Sequence, residues 1–491
     1  MNETPKDKRG WRILRRILIS LAILATLIAI FYTEEDWRGK RAWENCKHEL
    51  EAKGEVLDWN AYIPPPVPDD QNFFKAPKMQ EWFVGKHNGR GSTELSRRLQ
   101  STNGTLTASF GTKSLITTAE AAKNYLAWSD QFEPDFNLIR ETLNRPYARI
   151  SGDYTQPYAV PYPNFLTTRV VAQMLAQRAH CYFLLNQPEQ VLRELTLMHD
   201  MCRLLEGAPT GKPMTLVAAM INVAVHGLYV NTIAEGFQRQ AWQEPQLVAL
   251  QNQLGKVDLL PFVAEAFRAE RVVETYTFEK TPPAVIANQF ISLTGDKTNL
   301  WQRLKTPFYT FLTFAPRGWV YQNMVIHGRL LENMLNSYDL TNDLIFPSEA
   351  NKVADEIHAL KKWAPYSFLE AISLPNFTRA TQTLAYNQTQ VNEARIACAL
   401  ERYRLAHGEY PETLDALVPQ FIEKLPHDII GGQPSQGSGS TSQPLHYRRT
   451  ADGKFLLYSV GWNEIDDGGQ PSPVGENGGI DYSKGDWVWK N

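Results

Sequence analysis

The chain has 491 residues, with 50 Lys+Arg against 53 Asp+Glu, 43% hydrophobic residues and 30 each of Gly and Pro, an ordinary globular composition. That composition excludes a disordered or collagen-like chain, and a formal charge of -3 offers no basic field for a nucleic-acid backbone. At roughly 150 residues per domain the length predicts two to four domains, each able to bury its own core.

The first element is an uncharged run, Ile17 to Tyr32. Extended back through Ile13 and Leu14, with Arg15 and Arg16 reaching the head groups by their long stems, it supplies the roughly 20 apolar residues that cross a bilayer core. Lys6, Lys8, Arg9, Arg12, Arg15 and Arg16 precede it, and Thr33, Glu34, Glu35 and Asp36 follow. The positive-inside rule therefore predicts a cytoplasmic N-terminus with the bulk of the chain outside. Ile30 to Thr33 supply no small-residue cleavage site, so the expectation is a retained signal anchor. The lipid bilayer is thus the expected partner of residues 13–32, with residues 33–491 outside the cytoplasm, which in a bacterium means the inner membrane and the periplasm. Without residues 1–32 the balance becomes 44 Lys+Arg against 51 Asp+Glu, mildly acidic.

Asp36 to Lys53 reads as a polar helical stalk, and Ile63-Pro-Pro-Pro-Val-Pro68 as an extended strap, because successive prolines exclude a helix. Helical signs accumulate from Thr117, with a capping box Thr117-x-x-Glu120 and Pro134 as a break before Leu143. Asn164 to Asn186 and Pro188 to Leu205 predict a hairpin turning at Asn186-Gln-Pro-Glu189. Its residues resemble half a tetratricopeptide unit, but no second copy follows. Met214 to Ala234 is uncharged, yet Asn222, His226, Gly227, Asn231 and Thr232 would be costly in lipid, so a buried helix is expected with His226 as a core histidine. Further helices are predicted at 241–254, 258–276, 318–338 and 348–363.

Cys46, Cys181, Cys202 and Cys398 are four cysteines in an expected oxidising space. Helical rise puts Cys181 and Cys202 about 13 Å apart along the hairpin, beyond disulfide reach, and weighs equally against zinc at His180, Cys181, His199 and Cys202. Gly104 to Ser114 fails the P-loop spacing, and no H-E-x-x-H, G-x-S-x-G or G-x-G-x-x-G occurs. No catalytic residue is therefore assigned.

Near Pro375 a last region begins. Ala380, Leu384, Val391, Ala394, Cys398 and Leu405 predict one helix face ending at Gly408. Tyr410 to Pro419 follows as a short helix, Ser435 to Gln443 as a flexible loop, and Leu445–Arg449 with Lys454–Val460 as a hairpin about Ala451-Asp452-Gly453.

Two resemblances follow. Leu57-Asp58-Trp59 with Asp69 to Pro77 is similar to a segment of membrane-anchored bacterial proteins, which implies no activity. Ala399-Leu400-Glu401-Arg402-Tyr403-Arg404, Gly408-Glu-Tyr-Pro411, Leu425-Pro426-x-Asp428, Gly432-x-Pro434 and Tyr458-Ser459-Val460-Gly461 resemble the globular part of the type II secretion major pseudopilin, over about residues 380 to 487. That resemblance implies a calcium loop whose ligands would be Asn463 and Asp481, with Asp466 or Asp467 as substitutes. Asn463 stands where the family has Asp, and Glu464 and Tyr482 also depart, so weak binding is expected; Glu464, Glu476 and Asp486 add further acids. The alternative is a solvated acidic loop. No prepilin-peptidase site is present, since Gly10 is followed by Trp11 and then by Arg15.

The expected fold is mainly α, in four segments: 1–32 tail and anchor, 33–90 stalk and strap, 91–374 helical domain, and 375–491 a small α+β pseudopilin-like domain. The favoured reading is a non-enzymatic interaction or scaffold protein of the bacterial envelope with an envelope protein as partner. A component of a secretion or pilus-like machine, and an anchored hydrolase with acids and histidine drawn from separate helices, are the alternatives.

Overall fold

The computed structural model describes residues 8–85, 91–100, 116–155, 157, 160–206, 215–286, 314–361, 364–374, 377–432, 442–473 and 480–490. It is mainly helical: α1 (Lys8–Ala52), α2 (Met79–Phe83), α3 (Glu94–Gln100), α4 (Ala119–Ser129), α5 (Glu133–Thr142), α6 (Phe165–Leu184), α7 (Pro188–Met201), α8 (Leu216–Gln238), α9 (Glu244–Leu254), α10 (Leu259–Lys280), α11 (Arg317–Leu335), α12 (Pro347–Ala359), α13 (Glu370–Ser373) and α14 (Phe377–His407). Short strands complete it: β1 (Tyr338–Asp339), β2 (Leu344–Ile345), β3 (His427–Asp428), β4 (Gln443–Pro444), β5 (His446–Arg449), β6 (Phe455–Ser459) and β7 (Trp487–Val488). The chain divides into two compact units, residues 1–57, 271–330 and 357–374 in the first, and 58–270, 331–356 and 375–491 in the second.

The first unit is organised by α1, which at 1.5 Å per residue is about 67 Å long. Its early part is apolar and exposed, from Trp11 to Phe31, and the helix is long and apolar enough to cross a membrane. Its later part is not the free polar stalk expected from composition. Glu35, Gly39, Trp43, Cys46 and Leu50, spaced 4, 4, 3 and 4, form a buried stripe. Trp43, Cys46 and Leu50 pack with Phe278 of α10, Val320 and Met324 of α11, and Phe368 and Leu369. Among its neighbours the stripe therefore reads as one face of a core helix.

In the second unit α6 packs against α4, α7 and α8, and α14 against α8 and α9. From Leu384 to Glu401 almost every α14 residue is buried, so this helix runs through the middle of the unit rather than beside it. That explains why Ala394 and Cys398 are buried as the apolar periodicity requires, while Leu405, in the last turn, is 42% exposed. Strands β5, β6 and β7 form an antiparallel sheet with Tyr447 opposite Leu457 and Ser459 opposite Trp487, so the hairpin gains a third strand. Tyr410 to Pro419 holds only a 3-10 turn at Leu414–Leu417. The C-terminal segment shares its compact unit with residues 58–270, although the expected boundary at 374/375 coincides with a crossing between units.

The helix caps lie at or within one residue of the expected positions. The α4 cap is Thr118, whose side chain accepts from the Ala121 amide, one residue beyond the expected Thr117. Asn164 caps α6 through the Thr167 amide, as its position before the apolar run demands. Cys46, Cys181, Cys202 and Cys398 are all free and buried. The loop at 435–441 and the segment 104–114 lie outside the described residues.

Candidate functional site

Three places concentrate polar chemistry, the first at the exit of the apolar part of α1. Glu35, 5% exposed, accepts from Trp319 Nε1 at 3.0 Å and from the Tyr366 hydroxyl, while Asp36 Oδ1 accepts the Gly318 amide at 2.7 Å at the start of α11. An acid at a helix N-terminus meets the positive end of the helix dipole. The backbones of Gly39 and Gly318 approach so closely that a methyl on either would run into the other strand of chain. The crossing of α1 and α11 is thus fixed by two glycines and two acids.

The second place, in the same unit, is a candidate metal centre. Glu274 of α10, His327 of α11 and Glu370 of α13 each bring a ligand atom within 4.8 Å of the others. His327 Nδ1 lies 2.9 Å from Glu370 Oε2 and 3.3 Å from Glu274 Oε2, and His327 and Glu370 are fully buried. Two carboxylates facing one neutral imidazole call for a cation among them. A proton on His327 meets that need as an ion pair, and a divalent metal with mixed N and O ligands would meet it too. Among the described residues no other trio of His, Cys, Asp and Glu is gathered this way. Sequence reasoning missed it because the three come from three helices, with no linear spacing to signal them.

The third place is a polar cleft in the second unit. A cavity of about 310 Å³ is lined by His199, Glu206, Asn222, His226, Lys256 and Asp258 among others, and one of about 220 Å³ beside it shares Val257 and Asp258. His226 Nδ1 donates to the Asn222 side chain at 2.7 Å, so it is the bonded core histidine expected, yet it also borders this cavity. Burial pushes its pKa down to about 3 and lowers that of His199. Burial pushes the Glu206 and Asp258 carboxyls up, Asp343 adding to the effect on Asp258.

A folded pKa below the ordinary 6.5 means that the folded protein resists the proton the unfolded chain accepts. The contribution of His226 is complete above pH 6.5 and is lost as pH falls from there toward 3. Stability at pH 5 should therefore fall relative to pH 7 by about 2 kcal/mol more in the wild type than in His226→Gln. Denaturant titrations at the two pH values check this, and equal losses in both proteins would refute it.

The residues expected to hold calcium are locally satisfied. Asn463 Nδ2 donates to Asp467 Oδ2 at 3.1 Å. Asp466 accepts from the Tyr458 hydroxyl at 3.0 Å and the Gly468 amide at 2.9 Å, and Asp481 from the Ser483 amide and hydroxyl with Lys484 3.5 Å away. The bonds from the Gly468 amide and from Ser483 hold the Asp466 and Asp481 carboxyls below their usual range. The buried acid is Asp486, which accepts the Asp467 and Gly469 amides at 3.2 and 2.6 Å and so closes the loop on itself. Among the described residues these acids form no trio within ligand range of one another, and Glu476 lies outside the described residues.

Acids of the C-terminal motifs make structural contacts. Asp428 accepts from the Ser459 hydroxyl at 2.8 Å and the Ile430 amide at 3.0 Å, and Glu401 takes both Arg404 and the Tyr410 hydroxyl. His180 pairs with Glu235 at 2.7 Å, in line with the expectation against zinc there.

In comparison with known proteins, no family model matches the chain, and no curated protein or solved structure is significantly similar to it.

Proposed function

We propose that the chain is a single-pass, membrane-anchored protein of the bacterial envelope, with a cytoplasmic N-terminus and a non-enzymatic extracytoplasmic body that engages an envelope protein. The observation that carries this reading is the continuity of α1: an exposed apolar stretch runs without a break into the buried stripe Glu35, Gly39, Trp43, Cys46 and Leu50. Such a helix holds the first unit at a fixed distance from the bilayer surface instead of on a flexible leash. Weak calcium binding at Asn463, Asp466, Asp467 and Asp481 belongs to the same proposal and rests on the pseudopilin resemblance alone.

If α1 holds the only span, a chain cut to residues 33–491 should be soluble without detergent and keep its helical circular dichroism. Among the described residues α8 is the other helix apolar enough to cross, and most of its span is buried within the protein. A truncated chain that still needs detergent would show that α8 or another segment also enters the membrane.

The polar cleft favours a second reading, an anchored hydrolase, because His199, His226, Glu206 and Asp258 converge there from different elements with shifted pKa values. Turnover of a fluorogenic ester or peptide panel that disappears in Glu206→Gln would establish it, and a full panel without turnover would count for the non-enzymatic reading.

A further inference from the structure

The smaller of the two cavities holds an arginine that the fold does not neutralise. Arg395 projects from α14 into this cavity of about 220 Å³, beside Gln388, Asn392, Lys424, Asp258 and Asp343. It is half-buried and has no hydrogen-bond or ion-pair partner among the described residues, and its Nε is shielded from solvent. Removing a guanidinium from water without a counter-charge costs stability, which is why buried arginines are nearly always paired. Burial alone lowers the pKa of Arg395, and neither acid of the same cavity offsets that. The remaining wall is already satisfied: Gln388 Oε1 accepts the Leu259 amide at 2.8 Å, Gln388 Nε2 donates to Asn392 Oδ1 at 3.2 Å, and His427 Nε2 donates to the Asp343 carbonyl at 3.3 Å. The functions of the cavity left to a ligand are therefore its cations, half-buried Arg395 and exposed Lys424, and its two exposed acids, Asp343 and Asp258, which repel each other, Asp258 also accepting the Leu260 amide.

We propose that this cavity binds a small zwitterion of the amino-acid or dipeptide class, its carboxylate on Arg395 and its ammonium toward Asp258 and Asp343. A simple polyanion such as phosphate would satisfy the arginine but meet the two acids, and a simple cation would do the reverse. A molecule with both charges neutralises both sets. The volume lies below the roughly 300 Å³ at which cavities begin to take drug-sized ligands, which limits the occupant to a few residues at most. Arginine presents a planar pair of donors to a carboxylate, a geometry that lysine lacks.

The test uses the full-length protein in detergent, with L-alanine, L-alanyl-L-alanine, acetate, methylammonium and inorganic phosphate as probes in thermal unfolding. The dipeptide or the amino acid, at ten times its dissociation constant, should raise the melting midpoint by roughly 1–2 °C, with acetate and methylammonium giving less. Arg395→Gln should lose that shift, with affinity at least about tenfold weaker. Because the wild-type arginine is unpaired, Arg395→Gln without ligand should melt at or above the wild type, a result that a structural arginine would not give. No shift from either zwitterion, an equal shift in Arg395→Gln, a larger shift from phosphate, or an unliganded variant melting well below the wild type would each overturn the proposal.

Discussion

Replacing Arg178 by methionine should destabilise the second unit by about 3–5 kcal/mol, the cost typical of removing one member of a buried ion-pair network. Arg178 sits on α6 at 1% exposure and uses all five of its donors. Nε bonds Glu194 at 3.2 Å, Nη1 bonds Ser129 at 2.7 Å and Asp130 at 2.9 Å, and Nη2 bonds Glu133 and Tyr182, each at 3.0 Å. Glu194 is fully buried and bears the consequence, because it has no solvent to turn to. Burial already pushes its carboxyl up against the pull of Arg178 and Arg140, and without Arg178 only Arg140, at 3.2 Å, remains as a close cation among the described residues. Arg178→Lys keeps a charge but not the fork of donors, so it should recover only part of the loss. Chemical denaturation with a constant slope is the measurement. A change below about 1 kcal/mol in Arg178→Met would mean that the network is no more valuable than a surface pair.

The second large effect is expected at Gly318→Leu, which should cost roughly 3 kcal/mol or more and separate α1 from α11. The reason is steric and local: the Cβ of residue 318 would overlap the Glu35 backbone, and the displacement would also break the Asp36 contact to the Gly318 amide. Gly328, ten residues on in the same helix, provides the contrast. A methyl there meets Leu50, Cys46 and Trp43 at 3.5 to 3.8 Å, ordinary contact distances, so Gly328→Ala should be neutral or stabilising by up to about 1 kcal/mol. Limited proteolysis after residue 52 should accelerate in Gly318→Leu and stay unchanged in Gly328→Ala. Equal behaviour of the two variants would contradict the crossing described above.

Helices and the apolar run were legible because their signals are local: caps, prolines and periodicity act within a turn or two. Asn164, Pro188 and Gly408 mark ends that the structure keeps within a residue or two. The burial of Glu35 to Leu50 was present in the sequence as a 4-4-3-4 stripe but was hidden by the charges around it, so composition suggested a stalk. The division into interleaved units had no local signal, because residues 271–330 and 357–374 join α1 only through tertiary packing. The same holds for the sites. Glu274, His327 and Glu370 lie on three helices, and Asp258, Asp343, Arg395 and Lys424 on four separated stretches, so no spacing rule could assemble them. The unpaired state of Arg395 is a property of what surrounds it and exists only once the chain has folded.

The central claim, an anchor whose apolar stretch leads directly into an extracytoplasmic body, is tested most directly by topology. A reporter enzyme active only outside the cytoplasm and one active only inside should each be fused after residue 60 and at the C-terminus of the full chain in a bacterial host. The account predicts activity of the extracytoplasmic reporter at both positions and silence of the cytoplasmic one, because six basic residues precede the apolar run and acids follow it. Cytoplasmic activity at either position would contradict it.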